Sequence, residues 1–169
     1  AVSEFALSSK NINYLNDAGL FVKAKFPTSI VGLGSMGSHP KGPNENITWD
    51  YLIQQGFTKI QTAAIMGNLM QEHRFKTTDA GGGFGIAQWT GGRREAIMEL
   101  PNSENIYTQL SYLMSELNGE YAYVRDMIKS STSLESAVIA FQDQFERCNP
   151  YYCMQDQRVS YARDILASH

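Results

Sequence analysis

The stretch Gln61–Arg94, QTAAIMGNLMQEHRFKTTDAGGGFGIAQWTGGRR, decides how the rest of the chain is read. Its first half is apolar on nearly every side. Ala63, Ala64 and Gly67 share a face with Ile60, and Ile65, Met66, Leu69 and Met70 fill much of the remainder. A helix apolar all round is a buried helix. Thr58 and Gln61 have the spacing of a capping box and set its start. Gly67 costs about 1 kcal/mol against Ala inside a helix, so its presence points to close packing. The run ends on a carboxylate, Glu72, and a second one, Asp79, follows shortly after. The glycines between 81 and 92 rule out a helix through that part. Phe84, Ile86 and Gln88 alternate, which predicts a short β-hairpin.

Working outward, helical patterns dominate. TWDYLIQQG opens on Thr48 as N-cap and closes on Gly56. SENIYTQLSYLMSEL runs from Ser103 to before Gly119, and YAYVRDMIKS follows. TSLESAVIAFQDQFERC carries a capping box at Thr132 and Glu135 and stops before Pro150, and QRVSYARDILASH closes the chain. Residues 1–47 read differently. SEFALSSKNINYLNDAGLFVKAKF has room for a short helix or two, and PTSIVGLGSMGSHPKGPNEN is rich in Gly, Ser and Pro, hence loop-like. The expectation is a mainly α (α+β) protein with an N-terminal extension or docking segment, 1–47, and a helical domain, 48–169, whose small β-hairpin lies next to the site.

Length and composition bound the function. The 169 residues suit one domain, and 43% hydrophobic content builds a core rather than a disordered chain. A net charge of −3 and a pI near 5.6 argue against a nucleic-acid binder. No apolar run approaches the roughly 20 residues that span a bilayer. The N-terminus lacks the basic start and apolar stretch of a secretory signal, so a signal is either removed or was never there. Cys148 and Cys153 are too few for a disulfide scaffold; a local bond between them depends on the redox compartment.

Each chemical candidate competes with a structural reading. A carboxyl at the C-terminus of a buried helix is disfavoured as an anion by the dipole and by desolvation, which suits Glu72 to general-acid work on a glycosidic bond. The plain alternative is a solvated glutamate. Asp79 suits the partner that activates water in an inverting hydrolase, a pairing that places two carboxyls about 6.5–9.5 Å apart. Its plain alternative is a turn, where Asp and Gly are common. Gln88 offers an amide that both donates and accepts, as an N-acetyl group requires, and Trp89 offers a flat apolar platform. Their structural roles would be a hairpin stabiliser and a core anchor. Tyr151 and Tyr152 either line a groove or plug the core, and Glu146–Arg147 reads most simply as structural. GGGFG lacks the nucleotide-binding spacing and context, His73 lacks an HExxH partner, and no G-x-S-x-G elbow exists. Neither cysteine has a histidine assigned to it by spacing.

At this point GFTKIQTAAIMGNLMQEHRF followed by GGFGIAQWTGGRR resembles the phage tail lysozyme family, peptidoglycan hydrolase domains of phage tail-tip and other wall-degrading proteins. GIAQW is similar to the Gly-Leu-x-Gln motif of goose-type lysozymes and lytic transglycosylases. AVIAFQDQFERC and RVSYARDIL resemble the family's C-terminal helices, and the likeness runs from Trp49 to Leu166. It implies a lysozyme-like helical fold, Glu72 as catalytic acid, and a groove wall of Gly83, Phe84, Gly85, Gln88 and Trp89; Thr90 beside it and Tyr151 are further substrate-binding candidates read from the residues. Asp79 lies where T4-type phage lysozymes carry a second acid, with a different loop length. His73 departs from the Ser often found after the catalytic Glu. The implied substrate is the glycan strand of peptidoglycan, with no metal or organic cofactor and no nucleic acid. The implied setting is a phage virion, or the host cytoplasm before release. Residues 1–47 have no counterpart in the family; they either attach the domain to other tail or virion proteins or shield the groove until delivery. The alternatives are a lytic transglycosylase using Glu72 alone and a non-catalytic wall-binding virion protein.

Overall fold

The computed structural model describes residues 41–169 and, as backbone, Asn11–Leu15 (β1) and Phe21–Lys25 (β2). These two strands pair antiparallel, with Asn13 opposite Lys23. They replace the short helices expected there. Ile12 and Tyr14 alternate with polar residues, as a strand requires. The Gly/Ser/Pro-rich stretch up to residue 40 lies outside the described residues.

Seven α-helices follow among the described residues: α1 (Pro43–Gln54), α2 (Lys59–His73), α3 (Gly91–Met98), α4 (Ile106–Asn118), α5 (Ala122–Ser130), α6 (Leu134–Phe141) and α7 (Gln155–Ser168). A single π turn, Gln142–Glu146, extends α6. Helix α1 begins earlier than expected because Pro43 takes its first turn, where a missing N–H costs nothing. Thr48 is therefore interior to the helix and donates its hydroxyl to the Asn44 carbonyl at 2.7 Å. The box that starts α6 is Ser133–Ser136 rather than Thr132–Glu135. Helix α4 starts at Ile106, where the Asn105 side chain accepts the Tyr107 N–H. The short α3, among glycines, carries no apolar pattern strong enough to announce it.

Helix α2 behaves as its sequence dictates. Both halves of the Thr58–Gln61 capping box form, at 3.3 and 3.0 Å. Every residue from Thr62 to Met70 is buried. Helices α1, α6 and α7 pack around it. At Gly67 an added Cβ would lie 2.6 Å from the Arg158 carbonyl oxygen and 2.7 Å from Ala162 Cβ, so this glycine is what lets α7 lie against α2. The core runs through Ile65, Met66 and Leu69 of α2, Leu110 and Leu113 of α4, and Val138, Phe141 and Ile165 behind them.

The expected hairpin between α2 and α3 does not form as strands. Pairing shrinks to two isolated bridges, Phe84 with Asp79 and Phe84 with Trp89. Gly81 and Gly85 take left-handed backbone (φ 83° and 71°), and so does Gln88 (φ 48°). Turns that frequent leave no length for a ladder.

Candidate active site

Glu72 stands one residue from the C-terminus of α2. The helix ends there because Arg74 and Phe75 both turn left-handed, and buried Phe75 locks the turn against the core. The Glu72 side chain is 18% exposed, enough to reach a ligand. Its Oε1 accepts from Arg158 Nη2 at 2.6 Å, and Arg158 is 4% exposed. Arg158 is held in turn: its Nε donates to the Cys153 carbonyl at 2.7 Å and its Nη1 to Asn68 Oδ1 at 3.2 Å. Buried Asn68 is oriented by donating to the carbonyls of Ala64 and Val138. A buried guanidinium with all its faces engaged is a rigid fixture, and here it fixes one carboxylate oxygen. Cys153 is disulfide-bonded to Cys148, which closes the loop carrying Tyr151 and Tyr152.

The glycine-rich loop that follows α2 is held from α4. Gln109 of α4, fully buried, donates to the carbonyls of Thr77 and Ser103 at 2.8 Å each and accepts from Ile86 N at 2.9 Å. Gly85 sits where a Cβ would strike the Gln109 amide at 2.4 Å, and Gly83 lies against Gln88. Both glycines therefore serve the loop's own packing. Phe84 and Trp89, expected in a groove wall, are packed inward. Phe84 is buried, and Trp89 is 1% exposed, edge-on to Tyr112, with its indole N–H donated to Glu116 Oε2 at 2.8 Å. Neither ring offers a face to a glycan. Gln88 is half-buried and donates to the Gly85 carbonyl at 2.9 Å. Thr90 is exposed, and Tyr151 is 91% exposed.

Asp79 is exposed and engaged twice. Its Oδ1 accepts the Gly81 N–H at 2.7 Å and its Oδ2 accepts from Arg94 at 2.5 Å. The Gly81 N–H, then the Arg94 guanidinium, hold its carboxyl below the usual range. This is the geometry of an Asx turn with a surface ion pair.

Several residues of the site escaped the sequence reading. Arg158, Asn68 and Gln109 act through contacts between residues distant in the chain, which one sequence does not display. Arg93 pairs with both oxygens of Glu116, at 2.6 and 2.9 Å, donates to the Phe145 carbonyl and stacks on the Tyr121 and Phe145 rings. Glu146, read as structural, closes the π turn with its Oε1 shut from solvent and without a hydrogen-bond partner. Burial, then the charge of Glu72, pushes its carboxyl well above the usual range, against the pull of Arg158 and Arg93. A signal existed: Gln142 and Glu146 are four apart beside Phe141 and Phe145, which places an acid next to the apolar face. His73 Nε2 is also shielded and unpartnered, and burial, then Lys76, lowers the ring's pKa. Among the described residues no cluster of three His, Cys, Asp or Glu is arranged to hold a metal, and no helix is long and apolar enough to cross a membrane.

What emerges is a partly exposed carboxyl delivered by a buried helix and clamped on one oxygen by an arginine that also holds the disulfide-closed loop at the Cys153 carbonyl. No curated protein matches the chain. The family model described as phage tail lysozyme matches residues 43–168, from the first residue of α1 to the last of α7. The chain belongs to the phage tail lysozyme family, and with it to phage lysozyme-like, peptidoglycan-degrading proteins.

Proposed function

We propose that this chain is a muramidase that cleaves the β-1,4 bond between N-acetylmuramic acid and N-acetylglucosamine, with Glu72 protonating the leaving oxygen. The observation that carries the reading is the position of Glu72: the C-terminal end of a buried helix, partly exposed, with one oxygen fixed by Arg158 at 2.6 Å. Fixing one oxygen directs the other at a ligand, and positioning of this kind is the first requirement of acid catalysis. Gln88, Thr90 and Tyr151 are the substrate-binding candidates that keep exposed surface. In the hydrolytic reading Asp79 activates the water. Residues 1–47 serve as the docking segment to a virion, outside the catalytic domain 48–169, and the enzyme works on the wall during host entry.

A second reading, lytic transglycosylase chemistry, is favoured by Asp79 itself. Both of its oxygens are committed to Gly81 and Arg94. In that reaction the sugar's own hydroxyl attacks and Glu72 alone acts as acid and then base.

Mass spectrometry of muropeptides released from purified peptidoglycan separates these. Reducing products from the wild type, absent with Glu72→Gln and strongly diminished with Asp79→Ala, are the hydrolase outcome. Anhydro products that survive Asp79→Ala are the transglycosylase outcome. Sedimentation with the wall and no sugar cleavage by the wild type would reduce the protein to a wall-binding virion component and sink both.

A further inference from the structure

Across the end of α2 from the Arg158 clamp lies a cavity that the proposed chemistry leaves unused. Glu72 and Asn68 are one turn apart, on the face of the helix that meets Arg158. Met70, midway between them, therefore points to the opposite side. There it lines a cavity of about 270 Å³ between the end of α2 and the start of α1. Met70 and Phe75 supply buried apolar lining. The Asn44 side chain, on the α1 flank, donates to the Phe75 carbonyl at 2.9 Å and ties the two flanks together. Arg74 and Phe75 hold left-handed backbone (φ 52° and 58°), and the Arg74 N–H donates to the Met70 carbonyl at 3.1 Å. The backbone that carries the rim is thus fixed.

The rim is cationic. Arg74 and Lys76 line the cavity, both exposed, and among the described residues neither side chain has a hydrogen bond or an ion pair. Arg74 is an exception in this chain. The guanidinium groups of Arg93, Arg94, Arg125, Arg147, Arg158 and Arg163 are all bonded to other side chains. One acid, Glu45, also lines the cavity, in the first turn of α1, where the helix dipole suits its charge. Two cations therefore stand against one carboxylate. An apolar lining with positive charge in excess fits an anion with a small apolar body, and a free guanidinium fits a carboxylate above all. The glycan backbone of peptidoglycan is uncharged. The acidic groups of that polymer are the carboxylates of the short peptides that hang from it.

We propose that this cavity binds a carboxylate of the stem peptide carried by the glycan strand, with Arg74 and Lys76 as its cationic rim and Met70 and Phe75 as the surface for the peptide's small side chains. The proposal rests on peptidoglycan as the substrate and not on the role of Glu72. A grip on the substituent, taken across the helix from the acid, leaves the sugar itself to the Glu72 side. Arg74 is two residues from Glu72, so one helix end carries both functions.

Calorimetric titration of the full chain decides this. The probes are soluble glycan strands that keep their peptides and the same strands stripped by an amidase, with Glu72→Gln in every protein so that nothing is cleaved. Arg74→Gln with Lys76→Gln should weaken binding of peptide-bearing strands on the order of tenfold, and glutamate at both positions should weaken it further. On stripped strands these variants should bind as their parent does. Lys59→Gln with Lys129→Gln removes the same charge from exposed positions elsewhere and should change neither. Both rim residues are exposed, so the variants should keep the parent Tm. Unchanged binding of peptide-bearing strands by the Arg74 and Lys76 variants would overturn the proposal. So would an equal loss on stripped strands, which would assign the cations to the sugar, or an equal loss from the Lys59 and Lys129 pair, which would leave only general attraction between charges. A wild type that releases no muropeptide sinks the muramidase reading alone, and the titrations still decide this site.

Discussion

Trp89 and Gln88 sit side by side in the sequence yet do different work. The Trp89 indole is a buried beam, bonded to Glu116 and packed on Tyr112. Trp89→Phe strips the donor from that bond and leaves Glu116 with one partner fewer, so it should cost about 1–3 kcal/mol of stability. KM for peptidoglycan should stay unchanged, because no ring face is lost to the ligand. Denaturant midpoints and saturation kinetics read the two effects separately. Glu146 yields a residue-scale prediction about pH. Its folded-state pKa is raised, so the folded protein holds a proton that an unfolded glutamate releases near pH 4.3, roughly. That stabilisation is complete below the unfolded value and is lost as pH rises through the folded one. Glu146→Gln has no such proton to lose. Its Tm should therefore gain on the wild type as pH rises from acid to alkaline, and parallel Tm curves would contradict this.

At the scale of elements, helix α2 was the most legible part of the chain and the loop after it the least. A nine-residue buried run from Thr62 to Met70 and a capping box are local patterns, and both appear where periodicity puts them. Gly67 was legible as a packing residue but not as the crossing point with α7, since Arg158 and Ala162 are remote in sequence. The loop was misread because alternation at Phe84, Ile86 and Gln88 imitates a strand. The positive φ values at Gly85 and Gln88 and the hold of Gln109 override that pattern. Glu72 could be found from its place at a helix end; its clamp could not, since Arg158 is an ordinary arginine in an amphipathic run until folding buries it. Gly67→Ala tests the crossing. The methyl would gain about 1 kcal/mol in helix propensity. Against that, overpacking costs about 1–3 kcal/mol, and contact with rigid backbone puts this case at the upper end. A net fall in Tm is expected, with a loss of turnover because Arg158 is displaced from Glu72.

For the molecule as a whole, the Cys148–Cys153 bond ties the C-terminal part to the site. It closes a short loop whose Cys153 carbonyl receives Arg158 Nε at 2.7 Å. Loop closure of that length is worth about 2 kcal/mol against the unfolded chain. Replacing both cysteines by Ser should lower stability by about that amount, read as a shift in denaturant midpoint that reductant no longer changes. Turnover should fall as well, because one of the supports of Arg158 becomes mobile. The Asp79–Arg94 pair, by contrast, is exposed at both ends and contributes little to the balance.

The clamp on Glu72 also sets an order in time. A ribosome makes α2 early and α7 late, with the whole of α3 to α6 between them. Until Arg158 has emerged and docked across Gly67, the carboxyl at the end of α2 has no partner to aim it. The growing polypeptide therefore passes through no half-length form with an aimed acid. On the proposed role of Glu72, wall-cleaving capacity would arrive in one step, with the helix that is synthesised last among those around the site.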